Sequence, residues 1–218
     1  MRNGQTQQVK ILGVTPTGIK VQMGDAVMVQ PFANFTQVTM NPPPAFTAAA
    51  TAYENGDMHG ALALAEYLTT TYRGLPTDWA REAMLMLGDI YVALNRLPEA
   101  DAAFKDYQRA YPGAGSAEAN VGLASIDVAN KDYEAAKAKI GPILDGALKV
   151  RNPPHAAAAL IGRAYYVSGK IKEQSGDLTG ALEDYLRTVT IFPEDRMAAA
   201  SAQAEADALR KAHGVTVP

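Results

Sequence analysis

The chain has 218 residues, of which 48% are hydrophobic, so it holds enough apolar side chains for one large or two small folded domains. Its formal net charge of -3 is close to neutral for this length, which argues against nucleic acid and anionic membrane surfaces as partners, because both attract strongly basic chains. The absence of cysteine excludes disulfides, thiolate metal ligands and cysteine nucleophiles.

The first residues lack the features of a targeting segment. The start, MRNGQTQQVK, has no apolar stretch of the kind found in signal peptides, and no apolar run in the chain is long enough to predict a membrane span. Asn3-Gly4 is a strong hairpin turn signal, although almost no strand precedes it. We therefore hypothesise that the native N-terminus lies upstream of Met1.

Residues 7 to 40 alternate apolar and mostly polar side chains, which is the period of β-strands. Turn residues interrupt the alternation and predict about four short strands in an antiparallel sheet or partial barrel. Because so small a sheet buries little surface, we expect it to pack on the following region, to pair with a missing upstream strand or to pair with another chain. The alternating residues are Val9/Ile11, Ile19/Val21/Met23, Val27/Val29 and Val38/Met40.

The three prolines of NPPPAF, residues 41–46, end the sheet because proline cannot donate a ladder hydrogen bond. Beyond them the chain is rich in alanine, leucine, glutamate, lysine and arginine, and apolar residues recur three and four positions apart. That composition and period are typical of α-helices. The sequence therefore predicts a mainly α fold, with a small β-strand module at 1–41 and a helical domain at 42–218.

A six-residue block ending in alanine recurs four times in the helical region, at spacings of 39, 36 and 45 residues. In three of the blocks a residue suited to the left-handed conformation can end one helix, and in three of them an aspartate can cap the next. Each block therefore predicts a helix-turn-helix hinge, whose small alanine lets the two helices approach closely. Gly56, Asn95 and Gly176 are the expected left-handed residues, and Asp57, Asp132 and Asp177 the expected caps. The blocks are GDMHGA (56–61), NRLPEA (95–100), KDYEAA (131–136) and GDLTGA (176–181).

The second block lies in a longer motif, EAMLMLGDIYVALNRLPEADAAFKDYQRAYP. Its residues resemble the tetratricopeptide repeat (TPR) family, whose helical pairs carry W-x2-L-G-x2-Y, then A-x3-F, then A and P. The matching positions are Leu87, Gly88, Tyr91, Ala100, Phe104 and Pro112. The resemblance covers about residues 42 to 195. It implies an α-α superhelix of about four hairpins, and residues 194–213 would form a C-terminal capping helix.

In this family the first helix of each pair lines a concave groove that binds extended peptides or partner helices. Relatives that grip a C-terminal carboxylate carry lysine and asparagine in the groove, where this sequence has Asp89 and Ser125, which argues against such a clamp. A solvated or self-packed face is the alternative interpretation of these positions. The resemblance implies partner contacts by Tyr53, Glu82, Leu85, Asp89, Val92, Arg163, Tyr166, Lys170 and Glu173, with Ala50, Val121, Ser125 and Val128 on the same face.

No catalytic, metal or cofactor motif stands out. His59, His155 and His213 are far apart in sequence and match no zinc pattern, so we predict no metal site and no cofactor. The segment GAGSAEAN, residues 113–120, lacks the lysine of a phosphate loop, and a turn into a helix accounts for it. No G-x-S-x-G nucleophile motif is present. We therefore expect a protein that is not an enzyme.

These features favour a non-catalytic scaffold that binds a peptide segment or partner protein through the concave helical face. One alternative is a self-assembling structural protein that forms homo-oligomers or fibres through the edge of the β module. Another is an enzyme accessory or weak hydrolase, which would need a buried, pKa-shifted cluster in a pocket. A small sheet joined to such repeats resembles bacterial cell-envelope TPR proteins, which implies a periplasmic or envelope location.

Overall fold

Strands come first and helices follow, in the order that the two sequence periods predict. The computed structural model describes residues 7–112 and 116–217, so the turn signal at Asn3-Gly4 and the first three residues of GAGSAEAN lie outside the described residues. The strands are β1 (Lys10–Thr15), β2 (Gly18–Met23) and β3 (Ala26–Pro31). The α-helices of the described residues are α1 (Pro44–Glu54), α2 (Met58–Tyr72), α3 (Asp78–Ala93), α4 (Leu97–Ala110), α5 (Ser116–Ala129), α6 (Tyr133–Ala147), α7 (His155–Gln174), α8 (Leu178–Thr190) and α9 (Arg196–His213).

The chain divides into two compact units, Met1–Ala114 and Gly115–Pro218, called unit 1 and unit 2. Unit 1 holds the sheet and the hairpins α1/α2 and α3/α4, whereas unit 2 holds α5/α6, α7/α8 and the terminal α9. The predicted mainly α fold, with four helical hairpins, a last helix and a small preceding sheet, is confirmed. The division at residue 41 coincides with the change from strands to helices, and as a domain boundary it stays a prediction. The superhelical stacking of the hairpins also stays a prediction.

The sheet is antiparallel, in the order β1-β2-β3, and one of its faces packs on the helices of unit 1. In β2, Ile19 and Val21 are fully buried while the intervening Lys20 is exposed, as the period of two predicts. The two buried residues join a core that includes Ala49 of α1 and Leu68 of α2. The small β module is therefore stabilised by packing on the first helices, which is one of the three kinds of support expected from the sequence.

The fourth predicted strand, at Val38 and Met40, is wrong: residues 36–43 contain no strand. Both side chains are half-buried against the core of unit 1, which explains their alternation with polar neighbours. The backbone of this segment bonds to a helix instead of a strand: the Met40 carbonyl accepts a hydrogen bond from Trp79 Nε1 of α3 at 2.9 Å. β3 ends at Pro31, and a 3-10 turn at Phe32–Asn34 then leads the chain away from the sheet.

The four hinges form at the predicted residues. Gly56, Asn95 and Gly176 have φ of 77°, 57° and 84°, in the left-handed region that ends the first helix of each hairpin. The hinge between α5 and α6 places Lys131 in the same conformation, with φ of 63°, which the sequence analysis missed. The predicted caps are confirmed: Asp57, Asp132 and Asp177 accept from the backbone N–H groups of Gly60, Ala135 and Gly180 at 2.8, 3.1 and 3.0 Å.

Within each hairpin, a small residue on the first helix faces a side chain of matched size on the second. A Cβ added to Gly88 would lie 2.5 Å from the ring of Phe104, and one added to Gly169 would lie 2.4 Å from the ring of Tyr185. In the first and third hairpins the equivalent position of the first helix holds alanine, and the equivalent position of the second helix holds a residue smaller than an aromatic ring. The four side chains of these two pairs are buried in the local core. These pairs are Ala49 with Ala65, and Ala124 with Ile140.

The last helix, α9, begins two residues after the predicted start at residue 194 and ends at the predicted His213. Asp195 caps it by accepting from the N–H of Ala198 at 2.9 Å. Its buried Ala202, Ala206 and Leu209 pack in one cluster with the apolar face of α8. None of the helices within 7–112 and 116–217 has both the length and the apolar character needed to cross a membrane.

Candidate partner-binding surfaces

The residues expected to bind a partner fall on two helices, one in each unit. Glu82, Leu85, Asp89 and Val92 lie at i, i+3, i+7 and i+10 along α3, so they form one face of that helix, called the α3 stripe. Arg163, Tyr166, Lys170 and Glu173 have the same spacing on α7 and form the α7 stripe. The two stripes have different surroundings.

On α3, the other faces are committed to the core of unit 1. Ala83 and Ile90 are buried in the cluster shared with the sheet and the first helices, and Gly88 lies against α4. On the α3 stripe, by contrast, Glu82 is exposed and the other three members are half-buried. Tyr53, the expected contact from α1, is half-buried and packs against the core of unit 1. The α3 stripe therefore contains two partly accessible apolar side chains, Leu85 and Val92.

On α7, the stripe faces the terminal helix α9 and the residue that caps it. Lys170 Nζ donates to Glu205 Oε1 at 2.8 Å, and Arg163 Nε lies 3.6 Å from Asp195 Oδ2. Tyr166 packs against the cluster that contains the buried alanines of α9. These side chains are half-buried by contacts within unit 2, as in the self-packed interpretation. The α7 stripe thus holds α9 in place.

The remaining member of the α7 stripe, Glu173, binds the second helix of its own hairpin. Tyr185 donates its phenolic hydrogen to Glu173 Oε2 at 2.6 Å. Burial, reinforced by this hydrogen bond, raises the pKa of Tyr185 far above its ordinary range. Burial alone would lower the pKa of Lys170, but the hydrogen bond to Glu205 and the charges of Glu205 and Glu173 together outweigh it, so that pKa is also raised. Both groups therefore hold their protons firmly at neutral pH.

On α5, the expected inner-face residues are not all accessible. Val121 is buried in the core of unit 2 with Ala124 and Ile140, so at this position the expected inner face is self-packed. Ser125 is half-buried and donates its hydroxyl to the Val121 carbonyl, one turn earlier in the helix, at 3.2 Å. Val128 is half-buried against the same core. Helical spacing places these residues on one face, but the packing of α6 and α7 decides which of them is covered.

A buried polar cluster joins α7 to α8, and the sequence analysis did not find it. The Asp184 carboxylate is 1% exposed and accepts from Ser168 Oγ at 2.7 Å, while Lys172 Nζ and Arg187 Nη1 each lie 2.6 Å from its oxygens. Ser168 and Lys172 stand where the family pattern has leucine and tyrosine, and that departure was the available signal. Ser168 is buried and its hydroxyl is engaged, so the cluster joins two helices and offers no accessible nucleophile.

Within residues 7–112 and 116–217, no three histidine, cysteine, aspartate or glutamate side chains converge as a metal site would require. His59, His155 and His213 are each exposed. The predictions of no metal and no cofactor stay predictions drawn from the sequence.

The outer edge of β3 is the second surface that could receive a partner. β3 lies at one edge of the sheet, and Val27, Met28 and Val29 are 52%, 39% and 43% exposed. Met28 pairs with the inward-facing Val21, whereas Val29 pairs with the outward-facing Lys20, so apolar side chains stand on both faces of the strand. No backbone among the described residues pairs with this edge.

The opposite edge of the sheet is protected. β1 has an irregular register between Ile11 and Gly13, of the kind that interrupts a ladder, and it starts with the charged Lys10. Its Gly13 lies so close to α2 that an added Cβ would be 2.9 Å from the Thr71 carbonyl oxygen, which places α2 against a face of the sheet. A bulge and a charge are among the usual devices that stop an edge strand from pairing further.

Comparisons of the chain with protein-family models, with curated proteins and with solved structures find no match. The resemblance to the TPR family is therefore carried by the motif spacing alone, and membership of that family stays a prediction.

Proposed function

We propose that this chain is a non-catalytic protein–protein interaction scaffold that binds a peptide segment or a partner protein through its helical face. The α3 stripe is the contact surface. The single observation that carries the proposal is that Leu85 and Val92 are only half-buried and stand two helical turns apart on a helix whose Ala83 and Ile90 are buried in the core. A separation of seven residues along a helix is about 10.5 Å, which suits two apolar anchors of one bound segment.

The α7 stripe takes a structural role in this proposal. A partner that used Lys170 would have to displace Glu205, and one that used Tyr166 would have to displace the packing of α9. Variants such as Tyr166→Ala or Lys170→Glu would therefore weaken unit 2 as well as any partner contact. They are poor probes of binding, and the decisive variants belong on the α3 stripe.

The test is quantitative recovery of interacting proteins from native cells with wild-type chain, with Leu85→Glu and with Val92→Lys. The matched control is Leu148→Glu, because Leu148 is 81% exposed and belongs to unit 2, whereas the α3 stripe belongs to unit 1. We expect a partner that is retained by the wild type and the control and lost with both stripe variants. Thermal melts would show that the variants fold. Equal recovery by all four proteins would remove the α3 stripe from the proposal.

A bacterial cell-envelope location belongs to the same proposal and rests on the resemblance of the domain pairing. Cell fractionation followed by detection of the native chain tests it separately. Recovery in the cytoplasmic fraction would refute the location and leave the binding surface unaffected.

A further inference from the structure

The sheet has two edges that differ in protection. The β1 edge carries a bulge and a lysine, whereas β3 is a six-residue strand with apolar side chains on both of its faces. Unprotected apolar edges are rare in soluble proteins because they pair with other strands. The β3 edge is therefore open to pairing with a further strand, and it is a different surface from the α3 stripe.

The charges around β3 indicate which strand can pair with it. The sequence from Ala26 to Phe35, AVMVQPFANF, contains no charged side chain, and the strand itself contains only one polar side chain, Gln30. Two copies of this strand can run antiparallel with uncharged residues opposite each other throughout the overlap. Like charges placed opposite each other destabilise a strand pair, and here there are none. The strand is therefore complementary to itself.

We propose that β3 pairs with β3 of a second copy of this chain, antiparallel across a two-fold axis, to form a continuous six-stranded sheet. The axis passes between the two Val29 residues, so that each Val29 lies directly opposite its counterpart and residues 27–31 of both strands overlap. The same patch then serves both copies, as an isologous interface requires. Because the β1 edge is protected, the described residues leave the joined sheet with no further unprotected edge, and assembly stops at the dimer. This outcome excludes the fibre that a sheet with two open edges would allow.

The size of the contact sets its strength. A six-residue strand is about 20 Å long. One such strand pair is small beside the roughly 1,200 to 2,000 Å² that stable interfaces bury. The dimer is therefore reversible and depends on protein concentration. It goes beyond the proposed scaffold function, since a dimer carries two α3 stripes and can hold a repetitive partner with greater avidity than one chain.

The first experiment measures the mass of the purified full chain by sedimentation over a wide range of concentrations. We expect the mass to rise from monomer to dimer and to stop there. Val29→Glu should remove the dimer, because two carboxylates then meet near the centre of the strand pair, while Lys20 on β2 offers the new side chain a partner within its own chain. Leu148→Glu is the matched control and should dimerise like the wild type.

Two further measurements keep the test independent of folding. Mixing Val29→Glu with Val29→Lys should restore a dimer that neither variant forms alone. The chain has no cysteine, so Val29→Cys can be oxidised on a clean background and compared with the more exposed Leu148→Cys. We expect faster cross-linking at residue 29, because the two-fold axis brings the two side chains opposite each other. The proposal is overturned if the wild type stays monomeric at every concentration, if its mass grows beyond the dimer, or if Leu148→Cys cross-links as fast as Val29→Cys.

Discussion

The matched pairs inside the hairpins can be tested by exchanging one pair for another. Gly88 and Phe104 occupy the positions that Ala124 and Ile140 occupy in the third hairpin. The perturbation is Gly88→Ala, Phe104→Ile, and the two together. If close packing sets residue size at these positions, each single change should cost stability and the double change should cost much less than their sum.

The magnitudes follow from the geometry. An added methyl at 2.5 Å from the Phe104 ring lies far inside an ordinary carbon–carbon contact of about 3.5 to 4.0 Å. Overpacking costs about 1–3 kcal/mol, and the better helix propensity of alanine returns roughly 1 kcal/mol, so Gly88→Ala should lose ~1–2 kcal/mol. Truncating a buried phenylalanine to alanine costs about 3–5 kcal/mol, so the smaller change to isoleucine should cost ~1–3 kcal/mol. In the double variant the methyl fills the space left by the ring, which gives a coupling of about 1–2 kcal/mol.

The assay is urea unfolding followed by tryptophan fluorescence. Trp79 is the single tryptophan of the chain and is buried in unit 1 against Tyr72 and Phe46, so its emission reports on the unit that contains the mutated pair. Far-ultraviolet circular dichroism would report on both units together. Strict additivity of the two single changes, or a net stabilisation by Gly88→Ala, would refute the packing argument.

Three other outcomes are expected. Lys131→Gly should stabilise unit 2 by roughly 0.5–1 kcal/mol in thermal melts followed by circular dichroism, because its left-handed backbone is strained for lysine and free for glycine; an unchanged melt would contradict this. Burial raises the pKa of Tyr111 from 10.0 to about 12, so its contribution to stability is complete below about pH 10 and is lost as pH rises through about 12. Tyr111→Phe should therefore flatten the alkaline loss of unit 1 stability, and an equally steep loss in the variant would be the opposite result. Asp184→Ala should cost ~2–3 kcal/mol in urea unfolding, since it removes the acceptor of the buried Ser168 hydroxyl and the carboxylate partner of Lys172 and Arg187. Adding Ser168→Leu and Lys172→Tyr, as in the second hairpin, should recover most of that loss, and no recovery would show that the polar cluster is not replaceable by apolar packing.

The features that the sequence predicted well are local ones. A cap such as Asp57 contacts an N–H three residues away, so its position in the block determines its role. Gly176 ends a helix through its own backbone angles. The α-helical hairpins and their hinges could therefore be read from short motifs.

The features that the sequence missed depend on distant partners. Whether residues 36–43 form a strand was decided by Trp79, whose indole takes the carbonyl of Met40. The α7 stripe is covered because Lys170 bonds to Glu205 on α9, which lies 35 residues further along the chain. Periodicity identifies the face of a helix, but it does not identify what covers that face.

The matched pairs have a consequence for how such a chain can change over time. A hairpin whose first helix carries glycine accepts a large ring from its second helix, while a hairpin with alanine there does not. Recombination that joined α5 to α4 would bring a methyl against an aromatic ring, whereas joining α3 to α8 would preserve the fit. Whole hairpins can therefore be duplicated or shuffled without disturbing this pair. A single helix can be exchanged only between hairpins that have the same small residue, glycine or alanine, on the first helix.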